Sequence, residues 1–440
     1  MKSIGQRVIA ILIVILILSQ MLLVGISRHQ QADDQAEITG EGVDLTIWYT
    51  DAKLNDFMLE AAEDYQKKTG ITVNVQLISA VDYIETISNA TFMEEKGPDL
   101  FVAGSDLLQK ALYAGIVDDQ VTYSETELKN IPQKAFDAAT CNGKLIGYPF
   151  YFESCFLLYN QYYTEDWPRK IDEILEYADN FDTTAATEKV QSIFKWDVSD
   201  IFYNYFFIGD FVELGGIHGD DKSQLKLSEG NVIECLKYYQ SLNEFFAIDE
   251  KTVHSEDIIQ EFIDGKIVFT IAKTDAIARL DAAIEEGLVP EYQLEASKDE
   301  EGNEISPREV DCFYGIGDIP NLTDELHTRG LSVTNSVVVN SYSPYRSYAN
   351  DFAHYLSYER ADRLYEQTGK VSVCKNVIAG DENWERIMAQ YDGSVEIPKI
   401  IEMSNYWILM EIAFSNIWDG AEIEQEIESV VKQMDMQMSE

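Results

Sequence analysis

Strands and amphipathic helices alternate from residue 42 to about residue 115, and this order constrains the fold more than any other feature of the chain. The strand segments are rich in β-branched and aromatic residues, and the helical segments place apolar residues three and four positions apart. A β-α-β-α-β order predicts an α/β fold built on a mainly parallel sheet. The predicted strands are Val43–Thr50, Ile71–Leu77 and Asp99–Ala103, and the predicted helices cover 52–69 and 81–93.

Polar and aromatic side chains follow two of these predicted strands. Trp48 and Asp51 lie at the end of the first strand, and Ser105 and Asp106 follow the third. Ligands of open α/β sheets bind at the carboxyl ends of the strands. The sequence therefore predicts a ligand site at this edge of the sheet.

The charge balance limits the partners that this chain can have. Its 440 residues contain 33 Lys and Arg against 78 Asp and Glu, which gives a net charge of −45 at pH 7. Nucleic acid is excluded as a partner because phosphate binding needs a concentrated positive surface. Hydrophobic residues at 46% and aromatic residues at 12% also exclude a disordered polyacid. The length is sufficient for two to three domains.

The first thirty residues indicate export. Lys2 and Arg7 precede an uncharged segment, Val8–Ile26, and a basic start followed by an apolar run is typical of a signal peptide or an N-terminal membrane anchor. Both alternatives stay open for residues 1–27. Residues 28–41 are predicted to form a flexible acidic linker. Because Arg28 is the third base before residue 30, the remainder carries 30 basic and 78 acidic residues, or −48, on the extracellular side.

Sequence signatures of enzymes and metal sites are lacking. The chain contains no GxSxG, HExxH, P-loop or GxGxxG motif, so we expect no cofactor and no metal. A glycoside hydrolase with two catalytic carboxylates remains an alternative, because 78 acids guarantee that some lie close together. The segment Lys298–Asn303 lacks the ligand pattern of a calcium loop and is interpreted as a hairpin tip. The cysteines lack CxxC spacing and are interpreted as small buried side chains; they are Cys141, Cys155, Cys235, Cys312 and Cys374.

Aromatic residues are concentrated in three segments. Gly147–Tyr163 contains eight aromatic residues around a single acid, Glu153, and further aromatic residues occur over 201–211 and at Tyr406 and Trp407. A sugar ring presents apolar C–H faces that pack on aromatic rings and hydroxyl groups that carboxylates bind. The pattern favours carbohydrate as the ligand, although most of these rings are expected to belong to the core.

The same segments resemble the extracellular solute-binding proteins of ABC sugar importers, the family of the maltose-binding protein. The similar segments occur in order and cover nearly all of residues 42–440. They are KKTGITVNV at 67–75, GPDLF at 97–101, NGKLIGYPFYFESCFLLYN at 142–160, EFIDGKIVFTI at 261–271, the helix and TG turn within 352–373, and IPKIIEMSNYWILMEIAFSNIWDG at 397–420.

This resemblance implies a periplasmic-binding-protein-like fold with a ligand cleft between two lobes. Residues 42–150 with 333–380 would form lobe one, and residues 151–332 with 381–440 would form lobe two. The implied function is non-catalytic: the protein captures an oligosaccharide outside the cell and delivers it to ABC permease subunits, and it is expected to be a monomer. The alternatives are the glycoside hydrolase and a sugar sensor or scaffold protein.

The resemblance also implies the site residues. Asp51, Asp106 and Glu153 would accept hydrogen bonds from sugar hydroxyls, although Asp51 could instead cap a helix and Asp106 could be a solvated helical residue. The remaining implied contacts are Trp48 at the cleft floor, a stacking Trp407 flanked by Tyr406, and Trp196 or Asp197 from lobe two.

Three departures from the family pattern affect the choice of sugar. Asp275 replaces a Trp of maltodextrin binders, Leu107 replaces a frequent Arg, and Glu411 replaces a third basic residue. The site is therefore expected to be more acidic than a maltose site, and the sequence does not select the sugar.

Overall fold

The computed structural model describes residues 42–93, 97–119, 121–181, 189–288, 297–298, 304–305, 312–377 and 380–439. The predicted signal peptide or anchor and the whole of the predicted linker lie outside these ranges. Among the described helices, none combines the length and the apolar character that crossing a bilayer requires.

Strands are numbered in chain order within the described ranges. They are β1 Asp44–Tyr49, β2 Thr72–Leu77, β3 Leu100–Gly104, β4 Thr140–Cys141, β5 Lys144–Leu145, β6 Tyr148–Asn160, β7 Ser192–Phe194, β8 Glu213–Leu214, β9 Leu225–Lys226, β10 Ile267–Lys273, β11 Ser297–Lys298, β12 Glu304–Ile305, β13 Tyr314–Gly317, β14 Leu331–Val339, β15 Val371–Ser372 and β16 Val395–Glu396.

The α-helices are numbered in the same way. They are α1 Asn55–Thr69, α2 Tyr83–Phe92, α3 Leu108–Tyr113, α4 Glu127–Asn130, α5 Gln133–Ala139, α6 Ile171–Asp179, α7 Ile201–Asn204, α8 Val232–Phe246, α9 Ser255–Ile263, α10 Ile277–Glu285, α11 Arg346–His354, α12 Ala361–Thr368, α13 Glu382–Gly393, α14 Tyr406–Trp418 and α15 Ile423–Ser439.

The first helix shows how the sequence pattern becomes structure. In α1, the apolar face that contains Phe57, Met58 and Tyr65 is buried against the sheet. Gly70 ends the helix in the left-handed conformation with φ of 79°, which glycine adopts without a steric penalty. The chain then enters β2, which pairs in parallel with β1, while β3 pairs in parallel with the other edge of β1. The predicted parallel β-α-β arrangement is confirmed.

The long strand β6 joins two parts of one curled sheet with the order β2-β1-β3-β14-β6-β10-β7. Its first half, Tyr148–Ser154, pairs antiparallel with β14, and its second half, Cys155–Tyr159, pairs antiparallel with β10. Because one continuous strand belongs to both parts of the sheet, it carries the chain from one lobe into the other. The predicted two-lobe α/β fold is confirmed. The lobe boundaries given above remain a prediction, and β6 spans the proposed boundary at residue 150.

The hydrophobic cores follow this division. Two clusters fill the first part of the molecule, one around Phe57, Phe150 and Phe352 and the other around Phe101. A larger cluster fills the second part and includes Trp196 and Trp418. Helix α5 lies in the proposed lobe one, yet its side chains pack against the large cluster.

The cysteines and the charged hairpin largely agree with the sequence. All five cysteines are free, and four are buried, whereas Cys312 is half-buried. β11 and β12 pair antiparallel on either side of the predicted hairpin tip, with Lys298 opposite Glu304. Residues 299–303 of that tip lie outside the described ranges.

A histidine at the end of α11 makes the stability depend on pH. His354 lies where α11 continues into a π-helical turn, with its ring nitrogens 3.0 Å from Glu127 Oε1 and 3.8 Å from Glu359 Oε1. The carboxylates of Glu359 and Glu127 raise the pKa of His354, although partial burial opposes them. Its imidazole hydrogen bond is in turn the main cause that lowers the pKa of Glu359 to about 2.

We expect these interactions to stabilise the protein most at mildly acidic pH. A raised histidine pKa contributes stability that is complete below about 6.5 and is lost as the pH rises through the folded value. The Glu359 contribution is lost as the pH falls from about 4.5 toward 2. Substituting His354→Gln should remove about 0.5–1 kcal/mol at pH 5.5 and less at pH 8, measured by urea unfolding. An equal loss at both pH values would contradict this assignment.

Candidate functional site

Glu153 lies at the point where β6 passes from one part of the sheet to the other. It is opposite Val333 of β14, and two residues later Cys155 is opposite Lys273 of β10. Residues two apart on a strand, and residues directly opposite in an antiparallel pair, project to the same face. Glu153, Val333, Cys155 and Lys273 therefore share one face of the sheet. We call this surface the Glu153 face.

Asp106 belongs to the same face. It lies in a short 3₁₀ helix, Ser105–Leu107, directly after β3. A Cβ atom on Gly104 would lie 2.6 Å from Asp106 Oδ1 and 3.5 Å from Val333 Cγ1, so the glycine allows the carboxylate to fold back over the strand end. The Asp106 side chain is solvent-accessible although protein surrounds it. The surrounding protein removes part of the hydration of its carboxylate. This loss of hydration, together with the negative charge of Glu396, raises the pKa of Asp106.

A lysine joins two of the predicted site carboxylates. Lys370 Nζ lies 2.8 Å from Asp51 Oδ2 and 3.0 Å from Glu153 Oε1. The lysine side chain is 7% exposed, and each carboxylate side chain is 28% exposed. We call these three residues the Lys370 cluster. It brings together the end of β1, the middle of β6 and the turn after α12.

The charges in the Lys370 cluster support one another. Partial burial acts to raise the pKa of Asp51, but hydrogen bonds and charge from Lys370 and the Lys53 amide outweigh it and lower that pKa. Burial acts to lower the pKa of Lys370, but Glu153 and Asp51 outweigh it and raise that pKa. Asp51 and Lys370 are therefore held in their charged forms near neutral pH. Asp51 also caps the short 3₁₀ helix after β1, because its Oδ1 accepts from the Lys53 amide at 2.9 Å.

Two further acidic groups, Asp200 and Glu411, interact electrostatically near Lys273. Asp200 caps α7 by accepting from the Phe202 amide at 2.8 Å. Loss of hydration raises the pKa of Asp200, and the nearby Lys273 partly offsets this. Loss of hydration and the negative charge of Asp200 raise the pKa of Glu411 on α14. Asp200 therefore lies within electrostatic range of Lys273, which belongs to the Glu153 face, and of Glu411.

Trp407, Asp275 and Trp48 keep accessible surface. Trp407 lies one turn before Glu411 on α14, and its ring centroid is 5.5 Å from that of Tyr205. Asp275 lies in the 3₁₀ turn that directly follows β10 and is half-buried. Trp48 is also half-buried and packs against the core cluster around Phe101. All three can therefore contact a ligand.

Two of the proposed lobe-two contacts are corrected by the structure. Trp196 is fully buried, with its Nε1 donating to Asn204 Oδ1 at 2.9 Å and its ring against Trp418. Asp197 is 5% exposed, and its two oxygens accept from the amides of Ser199 and Ser255 at 3.1 and 2.8 Å. Trp196 therefore exposes no surface and Asp197 almost none, and the polar atoms of both are used within the fold.

Tyr406 requires the same correction. Its side chain is fully buried, and its hydroxyl lies 3.3 Å from the hydroxyl of Tyr205. The adjacent Trp407 is half-buried, because neighbouring residues on a helix project in different directions. Tyr406 therefore supports the Trp407 ring, with their centroids 5.1 Å apart, instead of contacting the ligand.

Sequence reasoning missed Lys370, Lys273 and Asp200. Lys370 was visible only as part of a TGK turn, and its partner Glu153 is 217 positions away. Two aliphatic residues of α14 were also missed: Ile408 and Ile412 are 61% and 52% exposed and flank Trp407 and Glu411. The signal in the sequence was a helix segment, 406–418, with apolar residues on all sides, more than one buried face can cover.

A cavity of about 690 Å³ lies elsewhere in the molecule. Its lining includes Lys134 of α5, the loop around Ile217, and Glu396 of β16. Glu396 accepts from Ser332 Oγ at 2.8 Å, and Ser332 is opposite Ser154, whose side chain projects away from that of Glu153. The cavity is therefore on the opposite side of the crossing strands from the Glu153 face. Among the described residues, no group of three or more histidines, cysteines or acids is arranged to hold a metal.

Comparisons with known proteins agree with this architecture. The family model of the bacterial extracellular solute-binding proteins matches residues 60–389. A maltooligosaccharide ABC transporter solute-binding lipoprotein of Streptococcus pneumoniae is 22% identical over 89% of this chain and 87% of that protein. The maltodextrin-binding protein MdxE of Bacillus subtilis is 20% identical over 92% of this chain and 91% of that protein.

Solved structures with this fold include proteins with bound sugars. An extracellular solute-binding protein from Staphylococcus aureus in complex with maltose has a TM-score of 0.71 and 20% identity, covering 91% of this chain and 98% of that one. A cyclo/maltodextrin-binding protein with maltotetraose has a TM-score of 0.72 and 20% identity, covering 90% and 97%. The family model spans most of the chain, and the strand β6 joins its two lobes. The chain therefore belongs to the bacterial extracellular solute-binding proteins.

Proposed function

We propose that this protein captures an oligosaccharide on the outer side of the cell membrane and delivers it to the permease subunits of an ABC importer. The observation that carries this proposal is the Glu153 face, where the Lys370 cluster lies at the junction of the two lobes. Carboxylates at such a junction accept hydrogen bonds from sugar hydroxyls, and the accessible ring of Trp407 provides a stacking surface. The relatives named as maltooligosaccharide and maltodextrin binders support the same ligand class.

The composition of the site argues against a simple maltose site. Asp275, Glu411 and Asp200 add carboxylates on the lobe-two side, and Lys273 supplies a positive charge there. Carboxylates accept hydrogen bonds but donate none when ionised. We infer a saccharide that offers many hydroxyl donors to lobe two, with Ile408 and Ile412 extending the apolar surface beside Trp407.

The apolar Val8–Ile26 segment supports placing the protein on the extracellular face, secreted or held by that segment. The relatives from Streptococcus are named lipoproteins, and attachment of a lipid requires a cysteine near the leader. Here the first cysteine is Cys141, which is buried in the fold. The proposed route of retention is therefore the apolar segment itself.

We expect at least one oligosaccharide in a calorimetry and thermal-shift panel to bind. The panel contains maltose, maltotriose, maltotetraose and β-linked and branched counterparts of the same lengths. A sugar at 100 times its Kd should stabilise the fold by about 2.7 kcal/mol. Absence of both heat and a melting shift across the panel would contradict the proposal. Release of reducing ends from a bound sugar would instead favour the glycoside hydrolase.

A further inference from the structure

The turn that carries Lys370 is fixed on both sides. Helix α12 ends at Gly369 in the left-handed conformation, with φ of 69°, and a Cβ atom there would lie 2.7 Å from the Cβ of Ala278 on α10. On the other side, Val371 and Ser372 pair with Phe152 and Tyr151 of β6. Backbone contacts on both sides therefore fix the position from which the nearly buried Lys370 side chain extends.

The two carboxylates of the Lys370 cluster differ in how many of their oxygens accept hydrogen bonds within the protein. Asp51 accepts from Lys370 through Oδ2 and from the Lys53 amide through Oδ1. Glu153 accepts from Lys370 through Oε1, and no group in the described part of the chain donates to its Oε2. An ionised carboxylate has acceptor sites on both oxygens. With one oxygen fixed by a nearly buried ammonium, the other oxygen of the partly exposed Glu153 has a defined direction.

We propose that Lys370 is a positioning residue for ligand binding, which holds Glu153 so that its Oε2 accepts a hydrogen bond from a sugar hydroxyl. This inference rests on the proposed function and specifies how its site is organised. The ammonium group orients the carboxylate and acts on the ligand through it. An oriented carboxylate binds without the cost of ordering a free side chain on association.

The groups around Lys370 explain why pH provides a specific readout. Asp51 and Glu153 face the ammonium group directly, the ring of Tyr151 lies 5.3 Å from Nζ, and Lys53 acts on Asp51. Burial raises the pKa of Tyr151 well above its ordinary value, so this ring stays neutral over the range tested. Removal of the ammonium group leaves two neighbouring carboxylates without their shared cation. Removal also takes away the Lys370 hydrogen bond and charge that lower the pKa of Asp51, so the pair of carboxylates takes up a proton more readily, and a protonated carboxyl is a weaker acceptor.

The test compares sugar affinity from pH 5 to pH 8 for the wild type, Lys370→Met and Lys370→Arg. Calorimetry uses the sugar that binds best in the panel, and thermal melting reports the folding of each variant. Lys68→Met is the matched control. Lys68 forms an exposed ion pair outside the Lys370 cluster, with its Nζ 2.6 Å from Glu359 Oε2. The control should keep the wild-type affinity and pH profile.

Lys370→Met should bind at least about 10-fold more weakly at pH 7, and its affinity should fall more steeply toward pH 5 than that of the wild type. Lys370→Arg should restore most of the pH profile. Glu153→Gln in the otherwise wild-type chain gives a test that does not require the lysine variants to fold. It mimics the protonated carboxyl and should bind weakly at every pH.

Two results would overturn the inference while leaving the proposed function intact. One is wild-type affinity in Lys370→Met, and the other is a uniform loss that keeps the wild-type pH profile. Wild-type affinity in Glu153→Gln would overturn it as well. If the wild-type protein binds no sugar in the panel, the proposed function fails, and this inference fails with it.

Discussion

Substituting Trp196 with Ala should lower the free energy of unfolding by about 3–5 kcal/mol, as expected when a large buried aromatic side chain is deleted. Trp196 is fully buried, with ring centroids 4.7 Å from Phe194 and 5.5 Å from Trp418. Its Nε1 is also the donor to Asn204 Oδ1, so deletion leaves a buried acceptor unpaired. The measurement is urea unfolding monitored by circular dichroism.

The matched substitution Trp196→Phe separates packing from hydrogen bonding. It keeps most of the ring and removes the Nε1 donor, so we expect a loss of about 1–3 kcal/mol. Sugar affinity measured well below the unfolding transition should stay close to wild type in both variants. Normal stability combined with lost sugar binding would indicate that Trp196 contacts the ligand and would contradict its assignment to the core.

The parallel β-α-β start of the chain followed from the sequence because its signals are local. The strand and helix bounds of β1, α1 and β2 agree within a few residues with the alternation of apolar residues and the Gly70 stop signal. The two-lobe arrangement came instead from the family resemblance, which includes the segment 142–160; this segment contains β6, the strand that belongs to both parts of the sheet. The signals for β1, α1 and β2 each lie within about twenty residues of the chain, the range over which periodicity carries information.

The site followed only in part, because its contacts join distant segments. The resemblance implied Trp196, Tyr406 and Trp407 alike as site residues, yet the first two are fully buried and the third is accessible. That difference is set by tertiary packing. The Lys370–Glu153 pair was equally hidden, because it forms only when the turn after α12 packs against β6.

Substituting Trp407 with Ala should weaken sugar binding by about 2 kcal/mol or more, roughly 30-fold, as for an aromatic anchor of an interface. The ring is half-buried, with its centroid 5.5 Å from that of Tyr205, so it has a supported side and an accessible side. A stacking ring that is held in place loses little conformational entropy when a sugar binds. Calorimetry with the best sugar of the panel measures the effect.

The neighbouring Tyr406 provides the sharpest control for this prediction. Tyr406→Phe keeps the buried ring and removes only the hydroxyl that lies 3.3 Å from Tyr205. We expect a loss of about 1 kcal/mol in stability and little change in affinity. Because the two residues are adjacent on α14, a general disturbance of this helix would affect both variants alike. Equal affinity losses would show that the helix as a whole shapes the site, whereas a loss confined to Trp407→Ala identifies its ring as the stacking surface.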